Sequence, residues 1–259
     1  MLFRSDELAC CTVCGCEVMD WGDCIVVSVK NEWRDVVSKI AYGTDGSILY
    51  EVTSEYEYDA DGNHTSSRTY ENGVLSTEYE YTVAPDGFVY PVLETLYFED
   101  GFMENSFDEN ANLSTSFRFD VDGELMQEYH YENTKHFDGY WYNSKVTAID
   151  YVANQKTVEE YDEHCELTYF YLEDNFTSWV EEHFYEYEYD EQDRLCFKRH
   201  IYQGMVYEEI TFGFVEEENG WQSYFETFVV YGNDGSYTVE EYDPEGNLLS
   251  KTHYEADEK

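Results

Sequence analysis

The sequence predicts an all-β fold: an elongated, curved antiparallel β-meander of repeated hairpins, a single-layer or spiral sheet with little or no helix. Three observations predict it. A short phrase recurs, in which an aromatic residue and Asp are followed by two further residues, Gly, a polar residue and an apolar one. It reads Tyr58-Asp59-Ala60-Asp61-Gly62-Asn63, Phe119-Asp120-Val121-Asp122-Gly123-Glu124-Leu125 and Tyr242-Asp243-Pro244-Glu245-Gly246-Asn247-Leu248, with looser copies from Tyr42, Phe107, Tyr161, Tyr189 and Tyr231. Self-similarity at short period marks an array of one supersecondary unit. Between the phrases, residues alternate with period two, and successive turn signals fall roughly ten to sixteen residues apart, as in meandering strands.

The chain divides by composition into a Cys-rich N-terminal segment, residues 1–35, and a repeat domain, residues 36–259. Five of the seven cysteines lie in the first segment, at Cys10, Cys11, Cys14, Cys16 and Cys24. The Cys11-Thr12-Val13-Cys14 spacing suits one zinc knuckle, but the second knuckle of a structural site is missing. Val13-Cys14-Gly15-Cys16 resembles a degenerate bacterial lipobox whose last Cys would be acylated, although Asp6 and Glu7 interrupt the expected basic flank. An unmodified N-terminal segment is the third reading, and the sequence leaves all three open.

Trp33, Val36, Val37 and Ile40 sit at helical spacing, so residues 31–41 have a helical alternative. The stretch runs directly into the turn phrase at Tyr42, as the other strands do, and strand is the expected state. Further along, Asp-Gly and Asn-Gly pairs at Asn72-Gly73, Asp86-Gly87, Asp100-Gly101, Asp138-Gly139 and Asn219-Gly220 supply the positive φ that hairpin turns require. In the strands, Tyr185-Glu186-Tyr187-Glu188-Tyr189-Asp190, Val52 to Tyr58 and Leu75 to Tyr81 place rings on one face and carboxylates on the other. Aromatic and β-branched cross-strand pairs each contribute about 0.2–1 kcal/mol. A tyrosine-rich inner face and an acidic outer face follow.

With 259 residues, 42% hydrophobic and 19% aromatic content, the chain is long enough to bury a core and lacks the composition of a disordered protein. No run approaches a membrane-spanning helix. The net charge of −44, from 58 acidic and 14 basic residues, argues against nucleic-acid binding, which needs clustered Lys and Arg. It suits cations, basic proteins, or glycans stacked on exposed rings, and it predicts that salt stabilises the fold.

Asp59, Asp61 and Asn63, and Asp120 with Asp122, resemble fragments of calcium loops, but neither stretch completes the oxygen set. A hairpin turn explains them, so weak, diffuse divalent-cation binding is expected and no metal ligand is assigned. Cys165 stands where the phrase has Gly, beside His164; adjacent residues near a turn usually point apart, which argues against a Cys–His nucleophile. No phosphate-binding loop, nucleophile elbow or His-x-x-x-His pattern is present, and carboxylate pairs in so acidic a chain discriminate nothing. The seven His residues read as isolated surface or strand residues. No catalytic or cofactor-binding residue is assigned, and an enzyme is not expected.

The phrase intact at Tyr242 to Leu248, and nearly so at Tyr58 to Asn63, Phe119 to Leu125 and Tyr189 to Leu195, resembles the YD repeats of RHS-type bacterial proteins. Tyr70-Glu71-Asn72-Gly73-Val74-Leu75 resembles the MORN-variant units of antitoxin-like proteins. The resemblance extends over most of the chain from about residue 36 and implies strands in a long curling sheet. The chain departs from the RHS pattern in its length, in lacking an RHS core motif and effector, and at Ala111, Cys165 and Asp193, where Gly is replaced.

The resulting expectation is a non-enzymatic bacterial β-repeat binding or structural protein of the cell envelope or exterior, with an unidentified protein or glycan partner. The alternative is a cytoplasmic antitoxin or immunity-like protein whose acidic face neutralises a basic toxin.

Overall fold

The computed structural model describes residues 9–10, 16–20, 24–84, 87–217 and 220–256. Among them every regular element is a β-strand, and the chain divides into two compact units, Met1–His130 and Tyr131–Lys259. The first contains β1 (Ala9–Cys10), β2 (Cys16–Asp20), β3 (Cys24–Lys30), β4 (Val36–Gly43), β5 (Ile48–Tyr58), β6 (His64–Glu71), β7 (Val74–Val83), β8 (Val89–Phe98), β9 (Gly101–Phe107), β10 (Leu113–Asp120) and the start of β11 (Leu125–Lys135). Each pairs antiparallel with its sequence neighbours, from β1 with β2 to β10 with β11. The second contains β12 (Trp141–Asp150), β13 (Gln155–Tyr161), β14 (Leu167–Asp174), β15 (Trp179–Tyr189), β16 (Leu195–Tyr202), β17 (Met205–Glu217), β18 (Gly220–Tyr231), β19 (Tyr237–Tyr242) and β20 (Leu248–Tyr254). They pair in the same consecutive way. The helical alternative for residues 31–41 is realised as a turn leading into β4. β3 and β4 pair from Cys24 opposite Gly43 to Lys30 opposite Val36.

The recurring phrase is one turn. At residues 59–63 the Gly62 N–H reaches the Asp59 carbonyl (3.2 Å) and the Asp59 N–H reaches the Asn63 carbonyl (2.9 Å), closing a four-residue turn with a bulge on the returning strand. The Asp59 carboxylate fills the interior: Oδ1 accepts the N–H of Asp61 (2.9 Å) and of Asn63 (2.8 Å). The same backbone frame closes turns 31–35, 108–112, 120–124, 162–166, 190–194 and 243–247. Its bulge position needs a left-handed residue, and φ is +86° at Gly62, +63° at Ala111, +63° at Cys165 and +62° at Asp193. The replaced glycines therefore leave the turn intact. At 31–35 the frame forms with Asn31 as acceptor and Arg34 left-handed, a copy with neither Asp nor Gly at those two places. His136 opens another at 136–140, where its Nδ1 accepts the Asp138 N–H.

Burial is shallow. Among the described residues Val26 is the one buried hydrophobic side chain, and the other buried positions are Ser28, Ser67, Asn105, Ser116, His136 and Gly213. Two of the small ones lie in register with rings: Ser67 stands between Tyr56 and Tyr79, and Ser116 beside Tyr129. A small residue leaves room for neighbouring rings to lie over the pleat, which half-buries the rings and fully buries what lies beneath them.

Segregation of rings from acids holds along β5 and over Tyr185–Tyr189 of β15, but not along β14. Tyr169 and Tyr171 are in register with Phe184 and Glu182, on the face opposite Tyr185. The reason is hydrogen bonding: the Tyr169 hydroxyl donates to Glu182 (3.0 Å) and Tyr171 to Glu173 (3.2 Å). Phenol-to-carboxylate bonds also join Tyr58 to Asp35, Tyr79 to Glu94, Tyr97 to Glu78, Tyr161 to Glu159, Tyr231 to Glu209 and Tyr242 to Glu240. These charge-assisted bonds explain why tyrosines outnumber phenylalanines, 27 to 16. Repulsion is further relieved by placing Ser or Arg opposite Glu. Ser66 donates to Glu57 (2.9 Å), Arg68 pairs with Glu78 (2.6 Å), and Arg199 bridges Glu186 (2.7 Å) and Glu209 (2.6 Å).

Candidate functional site

Polar chemistry concentrates in two ring-lined clusters, one in each unit. In the first unit, the 31–35 turn brings Asn31, Trp33 and Asp35 against the 59–63 turn. The Tyr58 hydroxyl accepts from Asn31 Nδ2 (2.6 Å) and donates to Asp35 Oδ2 (2.6 Å). His64 Nε2 meets the same carboxylate oxygen at 3.0 Å. An ionised carboxylate only accepts, so the imidazole carries its proton on Nε2. Trp33 stacks on Tyr58 with centroids 5.3 Å apart, and Tyr56 stacks on His64 at 5.2 Å. Burial alone would raise the Asp35 pKa; the hydrogen bonds from Tyr58 and His64 and the imidazole's charge outweigh it, and the net shift is downward. Burial, followed by the bond to Asp35, pushes Tyr58 up to about 12.

In the second unit, alternation along β15 puts Glu181, His183 and Tyr185 on one face, with His200 and Tyr202 of β16 beside them. His183 Nε2 lies 2.8 Å from Glu181 Oε1, and its Nδ1 lies 2.7 Å from His200 Nε2. The two imidazoles are inclined by 17°, so the short N···N separation joins them edge to edge. With both imidazoles neutral and Glu181 ionised, donor accounting leaves one arrangement: His200 Nε2–H donates to His183 Nδ1, and His183 Nε2–H donates to Glu181. Burial, and then the neighbouring His183, depress the His200 pKa, against the opposing charge of Glu208. Both clusters are closed on themselves. Each polar atom named here is engaged by a neighbour within its own cluster.

His164 does not serve Cys165. Its Nε2 binds Asp193 Oδ1 at 2.8 Å, and its ring stacks on Tyr189 with centroids 3.8 Å apart. The bond to Asp193 holds the His164 pKa above the ordinary imidazole value, against a smaller opposing effect of burial. Cys165 is an exposed free thiol. The calcium-like fragments are engaged as turns: both Asp59 and Asp120 use Oδ1 on two backbone N–H groups. Among the described residues no group of three or more His, Cys, Asp or Glu side chains is placed to hold a metal ion. The knuckle residues Cys11 and Cys14, and the lipobox residues before Cys16, lie outside the described residues. Among the described residues no helix is long and apolar enough to cross a membrane.

The imidazole clusters were not anticipated from isolated His residues. The available signal was positional, since His183 falls in the same period-two row as Tyr185, Tyr187 and Tyr189.

No protein-family model matches the sequence, and no curated protein matches it. Among solved structures, the chain is similar to one in the crystal structure of TcdB2-TccC3-Cdc42, at 12% identity and a TM-score of 0.40 over 97% of this chain. It spans 15% of the length of that chain. A porin-like protein from Bacteroides uniformis is similar at 7% identity and a TM-score of 0.32, with 92% of each chain covered.

Proposed function

We propose that this chain is a non-enzymatic β-repeat binding and structural protein of the bacterial cell envelope, which engages its partner through uncompensated negative charge. The observation that carries the reading is how the few cations are used. Arg68, Arg118, Lys145, Arg194, Arg199 and Lys251 each lie 2.6–2.8 Å from a carboxylate of the same chain. The chain as a whole keeps a net charge of −44, and His64 and His183 are engaged with carboxylates of their own clusters. Such a surface attracts a basic macromolecule over several ångströms and repels polyanions. The YD-like phrase supports a repeat-scaffold role, and the Cys16 motif supports an envelope location.

Calorimetric titration with poly-L-lysine tests the binding role. Affinity is expected to fall steeply with added NaCl, and no binding at low salt overturns the reading. The mass of the N-terminal peptide from separated membrane and soluble fractions tests the location. An acylated Cys16 supports the envelope; an intact Met1 in the soluble fraction replaces it with the cytoplasmic antitoxin-like role.

A further inference from the structure

The turns that follow β12, β14 and β16 lie on one edge of the second unit, because successive turns of a meander alternate between edges. Turn tips are ordinarily Gly, Asn, Asp or Ser. The first two of these turns present Val152 and Phe176 at 65% and 73% exposure, with Trp179 at 45% and Met205 at 54% where β15 and β17 begin. Single exposed apolar residues need no explanation, but a continuous row marks an interaction site.

The row is fixed in place. The Asn175 N–H donates to the Asn154 carbonyl (3.1 Å), tying the first turn to the second. The Gln203 N–H donates to the Glu182 carbonyl (3.0 Å), and its side-chain amide reaches the Val180 carbonyl (3.5 Å), tying the third turn to β15. Carboxylates stand at the base of the tips. Asp150 Oδ1 accepts the Ala153 N–H (2.7 Å), and Asp174 Oδ1 accepts those of Phe176 (2.9 Å) and Thr177 (3.1 Å). The bond from Thr177, the largest influence, helps hold Asp174 below the usual carboxylate range and so keeps it charged. Glu173 pairs in register with Lys156 on the face opposite Asp174 and Trp179.

We propose that this rim is the docking surface for a basic, amphipathic segment of a partner protein. Its apolar side chains would lie on Phe176, Trp179 and Met205, and its Lys or Arg side chains would face Asp150 and Asp174. Charge complementarity selects this occupant. A second copy would bring −44 against −44, and a neutral glycan would leave the carboxylate border unmatched. The pre-aligned turns reduce the ordering that binding requires. The inference rests on the charge-driven binding role proposed above, and its test separates the two.

The experiment measures fluorescence anisotropy of two labelled peptides of equal length and charge on the full chain, one alternating Lys with Leu and the other Lys with Ser. The Leu peptide is expected to bind about tenfold or more tightly than the Ser peptide, through apolar burial. Phe176→Ser with Trp179→Ser should abolish that advantage, and Met205→Ser should reduce it. Val74→Ser, an exposed turn-flanking change in the first unit, should leave it intact. Circular dichroism confirms that each variant keeps its sheet. Equal binding of both peptides, or an advantage that survives the Phe176/Trp179 change, overturns the rim while leaving charge-driven binding in place. Failure of both peptides to bind overturns both proposals. Self-association of the chain that the Phe176/Trp179 change removes would replace the basic segment with a second copy.

Discussion

Tyr58 and Tyr189 open two copies of the same turn, yet different groups hold the two closed. At Tyr58 the hydroxyl is doubly bonded, Gly62 supplies the left-handed position, and Asn63 caps the Asp59 carboxylate with its side-chain amide (2.9 Å). At Tyr189 the buried hydroxyl lies near the Asp162 carboxylate without a hydrogen bond of full geometry, and Asp193 takes the left-handed position. Arg194 replaces the amide with an ion pair to Asp190 (2.6 Å) and lies over the rings of Phe214 and Trp221. The backbone frame is common, and its keystone is the Asp at the start, which accepts the same two N–H groups in both. The glycine is one of several ways to fill the bulge position.

If the Asp is the keystone, Asp190→Ala should cause the largest loss of the set, since it takes the side-chain acceptor from two backbone N–H groups and strands Arg194 beside apolar rings. Chemical denaturation checks this against Asp59→Ala, which strands no charge and should cost less; the reverse order would break the comparison. Next, Gly62→Ala should destabilise by about 1–2 kcal/mol, because φ there is +86° and the new Cβ would meet the Trp33 ring at 2.7 Å. The same measurement on Cys165→Gly, where a non-glycine already accepts φ of +63°, should show a small gain.

Hydroxyl removal should have opposite signs at the two sites. Tyr58→Phe should cost about 1 kcal/mol by leaving Asn31 and Asp35 short of a partner, whereas Tyr189→Phe should gain about 0.5 kcal/mol by removing an incompletely bonded group. Equal effects would mean that the two hydroxyls are equally well solvated.

The pH responses also diverge. Tyr58 is raised to about 12 in the fold, so it favours folding fully below pH ~10 and loses that contribution as pH climbs from ~10 to ~12. Tyr161, Tyr169 and Tyr231 behave alike, and thermal melts should show steep alkaline destabilisation that Tyr58→Phe diminishes. The smallest effect belongs to His164. Its pKa is raised, so its contribution is complete below pH ~6.5 and fades as pH rises through the folded value. Asp193→Gly should erase that dependence in an NMR titration of the His164 ring.

Much of this was legible in the sequence. Period-two alternation and the Asp-Gly signals located the strands, and the copies at Ala111, Cys165 and Asp193 were readable as turns because the aromatic-Asp opening survives. The 31–35 turn was hidden, since Lys30 stands where the phrase has its aromatic residue and Arg34 where it has Gly. The clusters were hidden for another reason. Bringing Asp35 to Tyr58 and His64, or His183 to His200, depends on strand register, and register shifts by one residue at each bulge, as between Glu57 and Tyr58. Sequence periodicity gives the face of a residue but not its cross-strand neighbour. The paired tyrosines and glutamates of β14 were unreadable on the same ground.

Consecutive pairing within each unit makes the contact network one-dimensional. A strand feels the strand before it and the strand after it, and little else, because few side chains are buried deeply enough to communicate further. Stability then accumulates hairpin by hairpin, as a sum of local terms and nearest-neighbour couplings, and folding can nucleate at more than one hairpin and spread outward. A damaged hairpin does not melt its unit as a whole. It interrupts propagation there and leaves a folded stretch on either side, so hydrogen exchange should report protection in blocks bounded by turns.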